Sequence, residues 1–160
     1  FNFFENKARC FQIAFDSNYR PNLWQSRKLA QVNIQRAFDC CDIALPSLDD
    51  QRRLLNLRTE AEVVRWFNKH RINQTILKRG AKGPRLIGKT NENCNFASQS
   101  KVVDSTAAGD SFNAGYLAAY LNGKSAFESA RYGHELAKVV ISYAGAICPE
   151  AAVQGVVDEL

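Results

Sequence analysis

Short apolar runs alternate with helix-start signals along most of this chain, and this alternation limits the fold more than any other feature. The apolar runs have the length of buried strands, and helix-length segments that begin at capping residues separate them. We predict strands at residues 11–15, 42–45, 74–78, 85–88 and 101–104, and helices at 26–40, 59–70, 109–121 and 125–143, with a short helix from Pro149. Residues 1–9 resemble the end of a helix, and 91–99 a polar loop. Strands that alternate with helices are typical of parallel α/β sheets, whereas the glycine turn at 80–83 predicts a hairpin.

The composition is that of a single globular domain. The chain has 160 residues, of which 46% are hydrophobic and 23% charged, as in an ordinary soluble protein. Every apolar run meets a polar residue before it reaches the length of a membrane span. The first residues include Glu5, Lys7 and Arg9, so we expect no signal peptide. These features predict a cytoplasmic protein with no membrane partner.

The charge and the cysteines restrict the partners further. The net charge is +5 and there are five cysteines, an odd number with no CxxC spacing, which indicates reduced thiols. A nucleic-acid reader would show a dense basic stripe or interleaved aromatic residues, and this chain shows only a loose basic group at residues 71–89. We therefore expect no nucleic-acid partner. The basic excess fits an anionic small ligand, or simply a solvated face.

Three small residues, Ala107, Ala108 and Gly109, stand directly before Asp110, where a predicted strand gives way to a helix. Ligands of α/β sheets gather at such points, and the unpaired N–H groups of a helix start suit phosphate. Small side chains would let a phosphate reach those amides. Asp110 then has two interpretations. It is an acidic residue that the helix dipole favours in the first turn, or it acts as a general base on a hydroxyl that attacks phosphorus.

Residues 104–117, with the sequence DSTAAGDSFNAGYL, resemble the C-terminal signature of the ribokinase (PfkB-type) carbohydrate kinases. The resemblance implies that Asp110 is the catalytic base and that the amides of Ala107, Ala108 and Gly109 form an anion hole for the γ-phosphate of ATP. It also implies that Asp104 and Thr106 help to bind a monovalent cation, K⁺. The implied fold is α/β, the C-terminal half of a ribokinase-like three-layer sandwich with a mostly parallel sheet.

Further segments resemble the nucleotide site of this family. Lys78, Gly80 and Gly83 match its K-x-G-x-x-G turn, although two glycines at this spacing also suit a plain hairpin turn. His134 matches a residue placed against the adenine or ribose, and the alternative is a packing role. The segment at 145–146 matches a family Gly-Ala pair, and the resemblance also assigns Asn18, Arg20 and Ser47 to the nucleotide.

Residues 47–50, Ser-Leu-Asp-Asp, fall where the family has N-x-x-E, whose acidic member acts on Mg²⁺ through water. This implies that Asp50 lies on the metal side of the site. The alternative is a structural one: Ser47 or Asp49 caps a helix.

Residues 15–24, FDSNYRPNLW, resemble 2-keto-3-deoxygluconate kinases, and fructokinases share a looser form. The resemblance places Arg20 between the nucleotide phosphates and the carboxylate of a sugar acid, a role that suits a guanidinium fork. An ion pair between Arg20 and Asp16 is the structural alternative, and Trp24 is expected in the core. The implied reaction is ATP- and Mg²⁺-dependent phosphorylation of 2-keto-3-deoxygluconate to its 6-phosphate. A fructokinase-like or other PfkB sugar kinase, or an inactive nucleotide-binding fragment, is the alternative.

The resemblance covers residues 1–160 but only the second half of such a kinase, its nucleotide-binding and catalytic half. The glycine-rich substrate half and the β-sheet lid are not visible, and the chain has no methionine, which indicates a fragment or a processed product. Because a lid excludes water, this chain alone is expected to be inactive. An open sheet edge would also favour a homo-oligomer.

Overall fold

Two compact units make up the chain in the computed structural model, which describes residues 11–70, 72, 74–88, 96–98 and 101–159. The first unit comprises residues 1–79 and 85–93, and the second comprises 80–84 and 94–160. The helix end expected at 1–9 and most of the loop expected at 91–99 lie outside the described residues, as do Cys10 and Cys94.

A four-stranded sheet forms the first unit. Its strands are β1 (Ala14–Phe15), β2 (Ile43–Ala44), β3 (Gln74–Leu77) and β4 (Arg85–Gly88), in the order β1-β2-β3-β4. The β1–β2 and β2–β3 pairs are parallel, and β3 and β4 form the antiparallel hairpin. Parallel neighbours need long crossovers, which the helices between them supply, whereas a hairpin needs only a short turn. The predicted mixture of parallel strands and one hairpin is therefore confirmed.

Helices α1 (Arg27–Cys40), α2 (Leu48–Leu55) and α3 (Glu60–His70) connect these strands. The Ser26 hydroxyl accepts a hydrogen bond from the Leu29 amide at 3.1 Å, and the Thr59 hydroxyl accepts one from the Glu62 amide at 3.2 Å. Both predicted helix starts are thus confirmed, since side-chain capping satisfies first-turn amides locally. We assigned no helix at 48–55 from the pattern, but the capping interpretation of Ser47 is right, because its hydroxyl accepts from the Asp50 amide at 3.1 Å.

Aromatic side chains fill the core of the first unit. Phe38 of α1 is 1% exposed and meets Phe15, Trp66 and Phe67 in edge-to-face pairs with ring centroids 5.0–5.8 Å apart. Such pairs contribute beyond the area they bury. Trp24 packs against this cluster as expected. The core therefore joins β1 to α1 and α3.

The described part of the second unit contains three α-helices, α4 (Ala108–Leu121), α5 (Ala126–Val140) and α6 (Glu150–Val157). The predicted capping box at Ser125 and Glu128 is present, and the predicted helix from Pro149 is confirmed. Helix α5 ends three residues before the predicted 143. Among the described helices, none is both long and apolar enough to cross a membrane.

The strand predicted at residues 101–104 is wrong. The amides of Val103 and Asp104 both donate to the carbonyl of Ile141, at 2.8 and 3.2 Å. Ile141 is the C-cap residue of α5, where the last carbonyls lack partners within the helix. The apolar run did not indicate a buried strand, because Val102 and Val103 are 57% and 50% exposed. The backbone amides of this segment bond to the end of a helix and not to a neighbouring strand.

Candidate active site

A tight left-handed turn opens helix α4. Ala107 is the N-cap residue, with φ 59° and ψ 10°, a backbone conformation that costs a residue with a Cβ some strain. The helix begins at Ala108, so its first amides lack carbonyl partners one turn earlier. The Ala108 amide instead donates to the Ser105 carbonyl at 3.2 Å. Of the expected anion-hole amides, Ala108 is thus already engaged within the chain.

Asp110 lies in the first turn of α4 and is exposed. Its side chain has no hydrogen bond or ion pair to any other residue that the structure describes, whereas the neighbouring acid Asp104 accepts two backbone hydrogen bonds. A carboxylate without local partners can accept a proton from an incoming hydroxyl. The helix dipole also stabilises a negative charge at this position, so the geometry is compatible with both interpretations.

The Asp104 carboxylate stabilises the turn that precedes α4 through two hydrogen bonds. One carboxylate oxygen accepts from the Thr106 amide at 2.8 Å and the other from the Gly145 amide at 2.9 Å. Hydrogen bonds from the Thr106 side chain and amide and from the Gly145 amide lower the pKa of Asp104, so the group stays charged. Each oxygen retains a lone pair, which fits a monovalent cation, while the bonds already present show a structural role.

Two ion pairs lie at the carboxyl ends of the strands in the first unit. Lys78, which follows β3, pairs with Asp16, which follows β1, at 2.5 Å between Nζ and Oδ2. Arg20 lies 3.6 Å from Asp50. The ion pair expected between Arg20 and Asp16 is therefore formed with Asp50 instead. The Arg20 side chain is 56% exposed and that of Asp50 14%. The guanidinium is therefore held on one side and open to solvent on the other.

The surroundings of Asp50 determine whether it could bind a metal ion directly or through water. Burial raises the pKa of Asp50, against the lowering effect of the nearby Arg20 guanidinium. Among the described residues, no group of three or more His, Cys, Asp or Glu side chains could hold a metal. Asp50 thus fits a water-mediated contact to Mg²⁺, and the described residues do not form a direct ligand set.

The remaining predicted nucleotide residues have defined local roles. Asn18 adopts φ 36°, with its amide donating to Asp16 at 3.1 Å. Gly80 and Gly83 adopt φ 57° and 70°, and a Cβ on Gly83 would lie 2.7 Å from that of Phe96. Both glycines are therefore required by the 80–83 turn itself.

His134 is 7% exposed on α5. Its Nε2 lies 2.9 Å from the Ala97 carbonyl, which can only accept, so Nε2 carries the proton. The ring also packs against Phe96, with centroids 5.1 Å apart and the ring planes tilted by 51°. This is the packing role named above as the alternative for His134.

The profile of the pfkB family carbohydrate kinases matches residues 3–152. The chain belongs to the pfkB carbohydrate kinase family. The 2-dehydro-3-deoxygluconokinase of Escherichia coli K12 is 38% identical over 152 residues, which cover 92% of this chain and 49% of that enzyme. The chain spans about half the length of the curated relatives of that name.

Solved structures of the pfkB family confirm the ribokinase-like α/β fold. Fructokinase from Vibrio cholerae O395, bound to fructose, ADP and calcium, superposes with a TM-score of 0.79 at 20% identity, over 90% of this chain and 50% of that one. Ribokinase from Thermotoga maritima gives a TM-score of 0.71 at 24% identity, over 95% of this chain and 50% of that one. At these identities the likeness concerns the fold.

Several residues of this pfkB chain that shape the candidate site escaped sequence reasoning. Gln51 is completely buried beside Asp50, and Glu60 bonds both Arg79 and Arg85, at 3.1 and 2.8 Å. A polar residue inside an amphipathic helix gives no local sign of burial, and ion pairs between distant residues leave no spacing signature. The only available signal was the position of these residues next to the motifs.

Proposed function

We propose that the full-length protein that contains this chain transfers the γ-phosphoryl group of ATP to the terminal hydroxyl of 2-keto-3-deoxygluconate (2-dehydro-3-deoxygluconate), giving its 6-phosphate. The observation that carries this proposal is the 38% identity to an enzyme named for that sugar acid, over 92% of the chain. The family itself supports the coarser part, a sugar kinase. The basic excess of the chain suits an acidic substrate.

Asp110 is the proposed general base. The acceptor hydroxyl loses its proton to the Asp110 carboxylate as its oxygen bonds to the γ-phosphorus, and the bond between that phosphorus and the β–γ bridging oxygen breaks to release ADP. The carboxylate supports this role because it is exposed and has no hydrogen-bond or ion-pair partner among the residues that the structure describes. Positioning and charge neutralisation supply most of the catalysis in such transfers.

The start of α4 is the proposed cradle for the transferred phosphoryl group. The amides of Ala107 and Gly109 lie in a helix start that favours anions. Ala108 would join them by exchanging its 3.2 Å bond to the Ser105 carbonyl for a charged acceptor, which forms the stronger hydrogen bond.

Arg20 is the proposed contact for the sugar-acid carboxylate and for nucleotide phosphate. Its 56% exposed side chain presents the planar fork that binds carboxylates and phosphates bidentately. The 3.6 Å separation from Asp50 is long for a salt bridge, so the contact restrains the guanidinium without occupying all of its donors.

ATP is the proposed donor, and six residues are proposed along it: Asn18, Ser47, Lys78, Gly80, Gly83 and His134. Mg²⁺ would neutralise charge on the ATP phosphates, with Asp50 contacting its water shell. We further propose K⁺ at Asp104 and Thr106, where the lowered pKa keeps the carboxylate charged.

A coupled assay of ATP consumption tests the function. The full-length protein is supplied with 2-keto-3-deoxygluconate, fructose or ribose, and reactions without acceptor measure background ATP hydrolysis. We expect kcat/KM to be highest for the sugar acid. A preference for fructose or ribose would replace the substrate while keeping the sugar kinase, and no acceptor-dependent ADP would refute both.

A further inference from the structure

Gln51 is a buried polar side chain next to Asp50, the ion-pair partner of Arg20, and the proposed function does not use it. It is completely buried on helix α2, immediately after Asp50. Its Nε2 donates to the Ser17 hydroxyl at 2.7 Å. Its Oε1 is also buried and forms no hydrogen bond with any residue that the structure describes.

A buried amide oxygen without a donor lowers stability, because it loses its water and gains nothing in return. An apolar side chain of similar length would avoid that loss. The stability of the fold therefore gives no reason for glutamine here, whereas its bond to Ser17 does.

The loop at residues 16–20 carries Arg20, and the rest of the protein holds it at several points. Asp16 pairs with Lys78 at its start, and Tyr19 is anchored in the core at 4% exposure. Between them, Asn18 adopts a left-handed conformation with φ 36°, which needs support from its surroundings. The Gln51–Ser17 bond supports the segment beside that strained residue, in addition to the bond from the Asn18 amide to Asp16.

The first turn of α2 thus touches both ends of the segment 17–20. Gln51 holds Ser17, and its neighbour Asp50 lies beside Arg20. Both contacts lie within the first unit, and together they set where the exposed guanidinium points.

We infer that Gln51 is a positioning residue, which acts through Ser17 to hold the 16–20 loop so that Arg20 meets the carboxylate of the substrate. This inference rests on the proposed function, in which Arg20 binds a sugar acid. It assigns Gln51 to substrate affinity rather than to the chemical step.

The test is Gln51→Met in the full-length protein, which keeps the length of the side chain and removes its amide. We expect the KM for 2-keto-3-deoxygluconate to rise about tenfold, the effect of losing one typical hydrogen bond. We expect kcat to stay within about twofold, because binding is lost equally in the ground and transition states. The Tm should be unchanged or higher, since the unpaired oxygen is removed.

Gln31→Met is the matched control. Gln31 also donates through Nε2 to a partner on α2, the Leu54 carbonyl at 2.6 Å, but at the far end of the helix from Asp50. This variant should lower the Tm and leave the KM for the sugar acid unchanged. A KM that rises equally in both variants would show a general effect of packing and overturn the inference.

Ser17→Ala approaches the same bond from the other side, and it decides the question if Gln51→Met does not fold. It should raise the KM as Gln51→Met does, and the double variant should be no worse than either single one. An unchanged KM in Gln51→Met or Ser17→Ala, or additive effects, would overturn the inference while the wild type remains active. A wild type that transfers phosphate to no sugar acid would instead refute the proposed function, and this inference with it.

Discussion

Asp110 is exposed, and the side chain of Arg20 is 56% exposed, so both charged groups face solvent. In the first unit, which contains Arg20, the Asp16–Lys78 pair is mostly buried instead, with side chains 18% and 11% exposed, and its charges are already paired. Groups that are exposed and only weakly held can meet a ligand without first breaking a strong bond. At the level of single residues, this difference separates the proposed site from its scaffold.

Asp110→Asn should abolish phosphoryl transfer in the full-length protein and leave ATP affinity within about twofold. The amide cannot accept the proton of the hydroxyl, and general-base catalysis typically contributes at least about a hundredfold. Single-turnover kinetics and ATP titration by calorimetry measure the two effects separately. Turnover at the wild-type rate would remove Asp110 from its role.

Arg20→Ala should raise the KM for a sugar acid about tenfold or more, and the KM for a neutral ketose much less. The reason is that the guanidinium pairs with a carboxylate that only the acid carries. Steady-state kinetics with both acceptors measure the ratio, and Arg52→Ala, at a surface pair 3.8 Å from Asp49, is the control. Equal losses on both acceptors would argue against carboxylate recognition.

Two elements of the fold depend on close contacts that limit substitution. Helices α4 and α5 pack with Gly115 and Gly133 at their crossing, where a Cβ on Gly133 would lie 2.6 Å from the Phe112 carbonyl oxygen. The β3–β4 hairpin is held at its turn end by Glu60 on α3, which reaches Arg79 and Arg85. The first contact is steric and the second electrostatic, so they respond to different changes.

Gly133→Ala should lower the free energy of unfolding by about 1–3 kcal/mol, because a backbone oxygen cannot move aside for the methyl group. Gly155→Ala on α6 is the matched control. A Cβ there meets no atom within 4 Å, so alanine should stabilise the protein by about 0.5–1 kcal/mol through its higher helix propensity. Urea unfolding of both variants measures the two signs, and equal effects would contradict the close crossing.

Glu60→Gln should lower stability by about 1 kcal/mol at pH 7, since two guanidinium groups lose their shared carboxylate. Burial raises the pKa of Glu60, but hydrogen bonds from Arg85 and Arg79 outweigh it, and the net pKa is lowered.

A carboxylate with a lowered folded pKa stabilises above its unfolded pKa of about 4.3, and its contribution is lost as the pH falls through the folded value. The difference between wild type and Glu60→Gln should therefore persist at pH 5–7 and shrink as the pH falls below about 4.3, as measured by urea unfolding. Asp49→Asn, at a pair 78% exposed on its acidic side, should show little difference at any pH. A Glu60 difference that does not shrink on acidification would contradict the electrostatic account.

At the scale of the whole molecule, the most important fact is how much of its relatives' length this chain covers. It spans about half the length of the 2-dehydro-3-deoxygluconokinases, and its open strand β1 is an edge of the described sheet. Such an edge can pair with another chain or with further strands. We propose that substrate contacts outside these 160 residues complete the enzyme.

The 160-residue chain produced alone should therefore show no acceptor-dependent ATP consumption, and it should self-associate as its concentration rises. Sedimentation velocity measures the association, and the full-length protein, assayed in parallel, is the control. Turnover by the isolated chain at the full-length rate would show that the remaining half is dispensable.

Local chemistry explains what could be predicted from the sequence. Ser26, Thr59 and Ser125 began helices as expected because capping acts within a few residues of the chain. The pairing of strands followed from the connection lengths, and the signature at 104–117 identified the family. The strand expected at 101–104 failed because the decisive acceptor, the Ile141 carbonyl, lies far along the chain.

The sequence by itself thus determined the four strands of the sheet, the starts of α1, α3 and α5 and the turn before Asp110, all of which depend on neighbouring residues, but it did not determine helix α2 or the segment 101–104. The tertiary structure alone decided which charged and polar side chains meet. Asp16 and Lys78 are 62 residues apart, and Gln51 and Ser17 are 34 apart. Such partners are chosen by how distant strands and helices pack, because many carboxylates along the chain could equally have paired with the same lysine or arginine.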